Sequence, residues 1–274
     1  MVLLLSFTHL PTVATLVDSF FSTPKGSRPA VWVGIENYRT MAEDPVFWKS
    51  VTNNLWFAGA TIPLSIGLAL AMALWVNERI TGRAFLRMAY FTPTVLPMIA
   101  VANIWLFFYT PQYGLLEQLT SLVGLPSHNW LGDHRTALAC VTLVAMWKEA
   151  GFFMIFYLAA LQTLNPSLHE AAAIEGASRW YFFKRVQWPL LMPTTIFVLV
   201  NAVINGFRMV DHIFVLTRGG PDNASTLLLY HLYEVGFKFW DTAYASAITV
   251  VLVAVLTSVA LVQFFLLDKR THYK

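Results

Sequence analysis

The chain has 274 residues, of which 57% are apolar and only 12% are Asp, Glu, Lys or Arg, about half the charged share of an ordinary soluble domain. With a mean hydropathy of +0.58, its surface must largely face something other than water, which excludes a soluble globular fold and points to a bilayer. The formal charge of +3 decides nothing by its size. The single cysteine, Cys140, excludes an intramolecular disulfide framework and a cysteine-ligated structural zinc site.

A membrane helix needs about 20 predominantly apolar residues, and the sequence predicts about six, near 1–21, 52–76, 88–109, 136–162, 189–213 and 243–267. The first opens on Met-Val-Leu-Leu-Leu with no basic residue before Lys25, so it reads as a helix rather than a cleaved secretory signal. Pro93 and Pro97 predict a kink in the third span. With both ends on one side, the connectors 77–87 and 163–188 and the tail 268–274 share Arg79, Arg83, Arg87, Arg179, Lys184, Arg185, Lys269, Arg270 and Lys274. The opposite connectors, 22–51, 110–135 and 214–242, are together nearly twice as long and hold only Lys25, Arg28, Arg39, Lys49, Arg135, Arg218 and Lys238. The denser side is expected to be cytoplasmic. The chain divides into 1–51 (first span and outer connector), a membrane domain 52–267 and a cytoplasmic tail 268–274. Trp48, Tyr90, Tyr109, Trp188 and Trp240 near span ends fit an interfacial aromatic belt.

The segment 165–193 is the most informative. Asn165 can cap a helix start, Pro166 suits its first position, the following residues are mostly strong helix formers, and Gly176 supplies a stop. A further amphipathic stretch with Trp180, Phe183 and Val186 leads to Pro189. Ala171, Ala172 and Ala173 leave part of the helix without bulk, so another surface can approach its backbone, and Glu170 adds a charge that can fix orientation. A solvated connector helix would have the same features.

Glu170-Ala171-Ala172, Gly176 six residues after the glutamate, Ala177, and Pro189 followed by Pro193 resemble the EAA loop of permease subunits in binding-protein-dependent ABC importers. Trp147-Lys148, Leu158-Ala159-Ala160-Leu161-Gln162 and Thr217-Arg218-Gly219-Gly220-Pro221 resemble its carbohydrate-uptake branch, and the likeness covers roughly 35–270. Glu175 where the family often has Asp, and Trp188 where it often has Leu, are departures that keep charge and apolar body. The resemblance implies an all-α type I ABC importer permease fold with a cytoplasmic coupling helix. Glu170, Ala171, Ala172 and Gly176, with Ala173 and Ala177 beside them, would dock on a cytoplasmic ATPase. It also implies a second related permease, two ATPase copies and an extracytoplasmic binding protein. The chain has no G-x-x-x-x-G-K-[ST] loop, so no cofactor is expected on it, and ATP and Mg are expected on the partner ATPase.

In the fifth span Asn201, Asn205, Arg208 and His212 recur at steps of four, three and four, which predicts one polar stripe. Such groups face a bundle interior or a wet cavity. They can be helix–helix hydrogen bonds plus an Arg208–Asp211 pair, or, for Asn201, Asn205, Arg208 and Asp211, the lining of a transport path in which Arg208 could meet an anionic solute. Asp211 matches an acidic position of the sugar-permease pattern; Arg208 does not match an expected basic one. Lys148 and Glu149 in the fourth span have the same two readings, and the resemblance of Trp147-Lys148 to a motif shared by permeases for different cargo implies a structural or gating role rather than cargo recognition. Gly219-Gly220-Pro221 is a turn on the side where a binding protein would dock, and Asn223-Ala224-Ser225 is a weak glycosylation match.

Within the resemblance, 227–241, especially Tyr230, Tyr233, Gly236 and Phe237, looks nearest to permeases for sn-glycerol-3-phosphate and glycerophosphodiesters, with disaccharide permeases as the alternative. A polytopic membrane enzyme would need convergent catalytic groups, and the sequence has neither G-x-S-x-G nor H-E-x-x-H; no catalytic or metal-ligating residues are expected. A secondary transporter using the polar fifth span is a further alternative.

Overall fold

The computed structural model describes residues 2–78, 82–124 and 126–268. Arg79 and the predicted basic tail residues Lys269, Arg270 and Lys274 lie outside them. Among the described residues the chain is all helix and loop, with β pairing confined to the isolated bridges Phe21–Trp32 and Lys25–Arg28.

The first predicted span is helix α1, whose segments Val2–Leu4, Leu5–His9 and Leu10–Asp18 run on with a π-helical middle turn. Its apolar side chains are exposed, Phe7 at 78%. After a short amphipathic helix α2 (Glu36–Glu43), Asp44 starts the long α3 (Pro45–Asn77), its carboxylate accepting from Val46 N at 2.8 Å with Pro45 in the first turn. α3 lies along α7 (Ala137–Thr163) in the most extensive helix pairing of the chain. Fully buried Ala69, Ala73, Ala145 and Ala150 remove bulk between helices, the packing device available where lipid offers no hydrophobic driving force.

The third predicted span starts earlier than 88 and is two helices, α4 (Arg83–Val95) and α5 (Met98–Tyr109), bent by 106°. Pro97 disfavours helix at Leu96, which is extended at ψ 139°, so the expected kink is a break. A short helix α6 (Leu115–Leu122) follows, and the fourth and sixth predicted spans are α7 and α13 (Thr242–Asp268). The fifth is the end of a longer helical run. α9 (Arg179–Phe182 and Phe183–Gln187) continues into α10 (Trp188–Arg208), and the chain breaks at Met209 and Val210 before α11 (Asp211–Leu216). By length and composition the described residues hold four helices able to cross a membrane, five if the bent pair counts as one; α1 adds the shorter apolar helix at the start.

Three apolar clusters fill the bundle. Phe57, Val101, Val144, Ile213 and Leu227 form one; Ala73, Phe153, Tyr157, Leu191 and Val198 the second. The third, with Phe47, Val235, Tyr244 and Ile248, joins α3 to α13 and to α12 (Leu228–Tyr233 and Glu234–Lys238). The loops around Thr23, Asp44 and 217–241 meet at one end of the bundle, tied by Thr23 to Asp241 and by Asp44 to Tyr244. Glu78 and the 163–188 connector meet at the other, where Arg179 Nη1 lies 3.2 Å from Glu78 Oε1. Tyr109 is not a belt residue: it is buried and donates to Cys140 O at 3.3 Å.

Candidate transport path and coupling surface

At the Glu78 end, the segment between α7 and α9 folds into α8 (Pro166–Ile174) by local rules. Asn165 Oδ1 accepts from Ser167 N at 3.0 Å, and Pro166 takes the first turn. The helix closes with Ala177 N to Ala172 O (2.9 Å) and Gly176 N to Ala173 O (3.2 Å), with Gly176 at φ +66°. These are the two bonds of a Schellman stop. No residue of α8 is buried. Glu170, Ala171, Ala173 and Gly176 are exposed, Ala172 and Ala177 half-buried, and Ile174 is 87% exposed. A His169–Phe182 ring contact at 5.1 Å and the Arg179–Glu78 pair hold α8 and α9 beneath the bundle. Leu74, Leu161, His169, Ala173 and Phe183 line the open groove between them.

The predicted polar stripe of the fifth span is divided. Asn201 Nδ2 bonds back to Phe197 O (2.8 Å) on its own helix and is half-buried. Asn205 Nδ2 donates to Glu149 Oε2 at 2.7 Å, and Glu149 is 8% exposed. Arg208 and Asp211 are both exposed, and the ion pairs of the described residues do not include them. The expected Arg208–Asp211 pair fails because α10 ends at Arg208, so the two residues are not one helical turn apart on a common face. His212 leaves the stripe for the same reason: it is fully buried, its ring 5.7 Å from that of Phe57. Asn205 and Glu149 share a small void with Thr61, Ser65 and Met209. The Thr61 hydroxyl in its wall has no protein partner. Lys148, next to Glu149, donates to Pro93 O (3.3 Å) and Leu96 O (2.5 Å) at the break of the bent pair.

Sequence reasoning missed Asn53 and Asn54, which are buried in α3. Asn53 Nδ2 donates to Asn223 O (2.8 Å) and Thr226 O (3.0 Å); Asn54 Nδ2 donates to Gly206 O (3.2 Å), and its Oδ1 accepts from Leu228 N (3.3 Å). The available signal was an amide pair inside an apolar span. These bonds anchor the Gly219-Gly220-Pro221 loop. In that loop Thr226 Oγ1 donates to Gly219 O (3.0 Å), and Ser225 Oγ donates to Gly220 O (2.8 Å). Gly219 and Ser225 are buried, which places the glycosylation match inside a packed loop, while Arg218 and Asp222 face outward.

Nearby, His231 Nε2 lies 3.3 Å from Asp44 Oδ2, and Tyr244 Oη donates to the same oxygen at 2.7 Å. Burial holds the His231 imidazole below its ordinary pKa, against the pull of Asp44. Burial alone would raise the Asp44 carboxyl, but the Tyr244 hydroxyl, the Val46 amide and the His231 charge together hold it below the usual carboxylate value.

Broken apolar helices stitched by buried amides and one lysine–glutamate step define a polytopic helical membrane protein. The same architecture, with a TM-score of 0.88 at 23% identity, is seen in a bacterial ABC transporter that imports the acidic polysaccharide alginate, over 99% of this chain and 93% of that one. The chain belongs to the family described as binding-protein-dependent transport system inner membrane component, whose model matches residues 63–273. It is therefore a permease subunit of an ABC importer, a transport subunit rather than an enzyme. Among its relatives are the trehalose/maltose transport system permease protein MalF of Thermococcus litoralis, 33% identical over 94% of this chain and 87% of that protein. The sulfoquinovosyl glycerol transport system permease protein SmoG of Agrobacterium fabrum is 32% identical over 92% and 82%. The sn-glycerol-3-phosphate transport system permease protein UgpA of Brucella suis is 31% identical over 99% and 93%.

Proposed function

We propose that this permease carries sn-glycerol-3-phosphate, a glycerophosphodiester or a related sugar-like solute inward, and that α8 is the coupling helix through which ATP drives it. The observation that carries the coupling reading is α8 itself: capped at both ends, stripped of bulk at Ala171, Ala172 and Ala173, and with none of its residues buried. Glu170, Ala171, Ala172, Ala173, Gly176 and Ala177 present this surface to one of two cytoplasmic ATPase copies, which hold ATP and Mg. A second, related permease completes the membrane part, and an extracytoplasmic binding protein delivers solute at the opposite end. The density of basic residues on the α8 side supports a cytoplasmic placement of that connector and of both termini in the inner membrane.

ATP-driven closure of the ATPases moves α8, and the helices it joins, α7 and α9–α10, carry the movement into the bundle. Asn201, Asn205, Arg208 and Asp211 are the proposed path residues, Arg208 and Asp211 being the exposed charges beside the α10 break. A glycerol phosphate cargo rests on the relative named for sn-glycerol-3-phosphate and on the exposed guanidinium of Arg208; a neutral disaccharide is the second reading, favoured by the relative named for trehalose and maltose.

Two variants test coupling. Glu170→Lys and Gly176→Val should abolish ATP-driven uptake while leaving the protein in the membrane, because a Cβ at Gly176 meets nothing within 4 Å among the described residues and the valine's backbone strain at φ +66° falls on the exposed helix stop alone. Normal ATPase recruitment and uptake in both would remove α8 from the coupling role. For cargo, the binding protein purified with the complex is titrated with sn-glycerol-3-phosphate, glycerophosphocholine and maltose. Tight selective binding of maltose would overturn the glycerol phosphate reading, and Arg208→Ala with unchanged uptake and apparent affinity would remove Arg208 from the path.

A further inference from the structure

Two of the membrane-embedded helical runs are broken, at 96–97 and at 209–210. A break frees backbone carbonyls that lipid cannot solvate. At the first, the carbonyl of Pro93 would ordinarily accept from the amide of residue 97, but Pro97 has no N–H, and Leu96 has left the helix. The Lys148 ammonium takes both carbonyls. One turn further along α7, Gly151 lets the backbones close: a Cβ there would stand 2.4 Å from Tyr90 O and 3.1 Å from Thr94 Cγ2. Lys148 and Gly151 thus hold α4–α5 on one face of α7.

Successive helix residues point about 100° apart, so Glu149 faces elsewhere, and there it meets Asn205, one turn before α10 ends. Asn54 of α3 takes the carbonyl of Gly206 at the same place, and Gly206 lies against Ala58 of α3, with its Cβ position 3.4 Å from that of Ala58.

We propose that Lys148 and Glu149 are positioning residues of the transport cycle: neighbouring clamps on two faces of α7, Lys148 holding the bent pair α4–α5 by its freed carbonyls and Glu149 holding α10 through Asn205. Both broken runs then move with α7 as one body when α8, at the end of α7, is displaced. Lys148 needs donors rather than bulk, and Glu149 needs an acceptor rather than charge, and each clamp can be lost without the other. This rests on the transport role and on no particular cargo.

The assembled transporter, isolated with its partner subunits in nanodiscs, carries spin labels in two pairs made at exposed positions. Phe85→Cys with Phe107→Cys spans the bend between α4 and α5, and Leu143→Cys with Phe197→Cys spans α7 to α10; Cys140 is buried and stays. Lys148→Met should broaden or shift the first distance by about one helical turn, about 5 Å, and leave the second unchanged. Glu149→Ala should do the reverse. Lys148→Arg and Glu149→Gln, which keep donor and acceptor, should restore the native distances. ATP turnover should fall about tenfold in Lys148→Met with the KM for ATP within about twofold, and return in Lys148→Arg. Native distances in both Lys148→Met and Glu149→Ala, or equal broadening of both pairs by each variant, would overturn the clamps. The distances are read without nucleotide, so they decide the clamps even if the coupling role of α8 fails. Should Lys148→Met not assemble, Lys148→Gln and Lys148→Arg decide together: a disturbed bend distance in Lys148→Gln with a native one in Lys148→Arg supports the clamp, and equal bend distances in the two overturn it.

Discussion

Gly176 and Gly219 are both left-handed glycines in connectors between helices, and their surroundings are opposite. Gly176 closes α8 at φ +66° with open space where a Cβ would stand. Gly219 opens the 217–227 loop at φ +80°, and its Cβ would fall 2.6 Å from Thr226 Oγ1 and 2.8 Å from Tyr230 Cε1. The first needs glycine only for its backbone. The second needs it for backbone and space, because the loop is buried under α12 and threaded by hydrogen bonds from α3. One connector is a free-standing surface built by near neighbours in sequence; the other is part of the core, built by residues far apart.

The contrast is sharpest in the two substitutions to alanine. Gly219→Ala combines about 1–2 kcal/mol of left-handed strain with a clash that Thr226 and Tyr230 must move to relieve, and a total of about 3 kcal/mol is expected. Gly176→Ala keeps only the strain. The thermal inactivation midpoint of the purified complex should fall clearly for the first and much less for the second. Equal shifts would mean that the two connectors are supported alike.

Asn54 tests the long-range side next. Replacement by Ala leaves Gly206 O and Leu228 N without their partner, and each buried group so orphaned costs about 1–3 kcal/mol. Loss of stability should come with faster hydrogen exchange both at the end of α10 and at the start of α12, since one side chain serves both. Exchange confined to either one would separate the two bonds.

On the free-standing side, Asn165→Ala removes the cap on Ser167 N and should cost about 1 kcal/mol. That loss should appear as faster exchange in α8 alone, with the inactivation midpoint hardly moved. A large global shift would show that α8 is more than an exposed appendage.

These two regions also explain what the sequence could disclose. The cap, the proline, the three alanines and the glycine stop of α8 act within a dozen residues, so its start and stop could be read from 165–177 and stand there in the structure. The apolar lengths of α3, α7 and α13 were legible for the same reason, as was a disturbance at Pro97. The break at Met209 and Val210 has no proline to announce it; it is stabilised by Asn54 from a helix about 150 positions earlier in the chain, and a helical projection that assumes continuity therefore puts His212 on the stripe and Asp211 within pairing reach of Arg208. The Lys148–Glu149 step was visible as two charges at depth, but their opposite partners depend on which helices flank α7, which spacing along one strand of sequence does not encode.

The smallest effect concerns the Asp44, His231 and Tyr244 group that joins α3, α12 and α13. Both titrating groups have pKa values below their ordinary ones, so in each case the unfolded chain binds protons more readily than the folded one. The His231 contribution is present above its ordinary value of 6.5 and is lost as pH falls from there toward the lower folded value; the Asp44 contribution follows below 3.8. The inactivation midpoint should therefore decline as pH is lowered through the first window, and His231→Gln should flatten that part of the curve while Asn165→Ala leaves its shape unchanged. A midpoint that rises on acidification in the unsubstituted protein would mean that the imidazole is charged in the folded state and that Asp44, rather than burial, controls it. The pH slope thus separates a bundle end closed by packing from one closed by an ion pair, a distinction that the exposed α8 end, with its solvent-accessible Arg179–Glu78 pair, does not share.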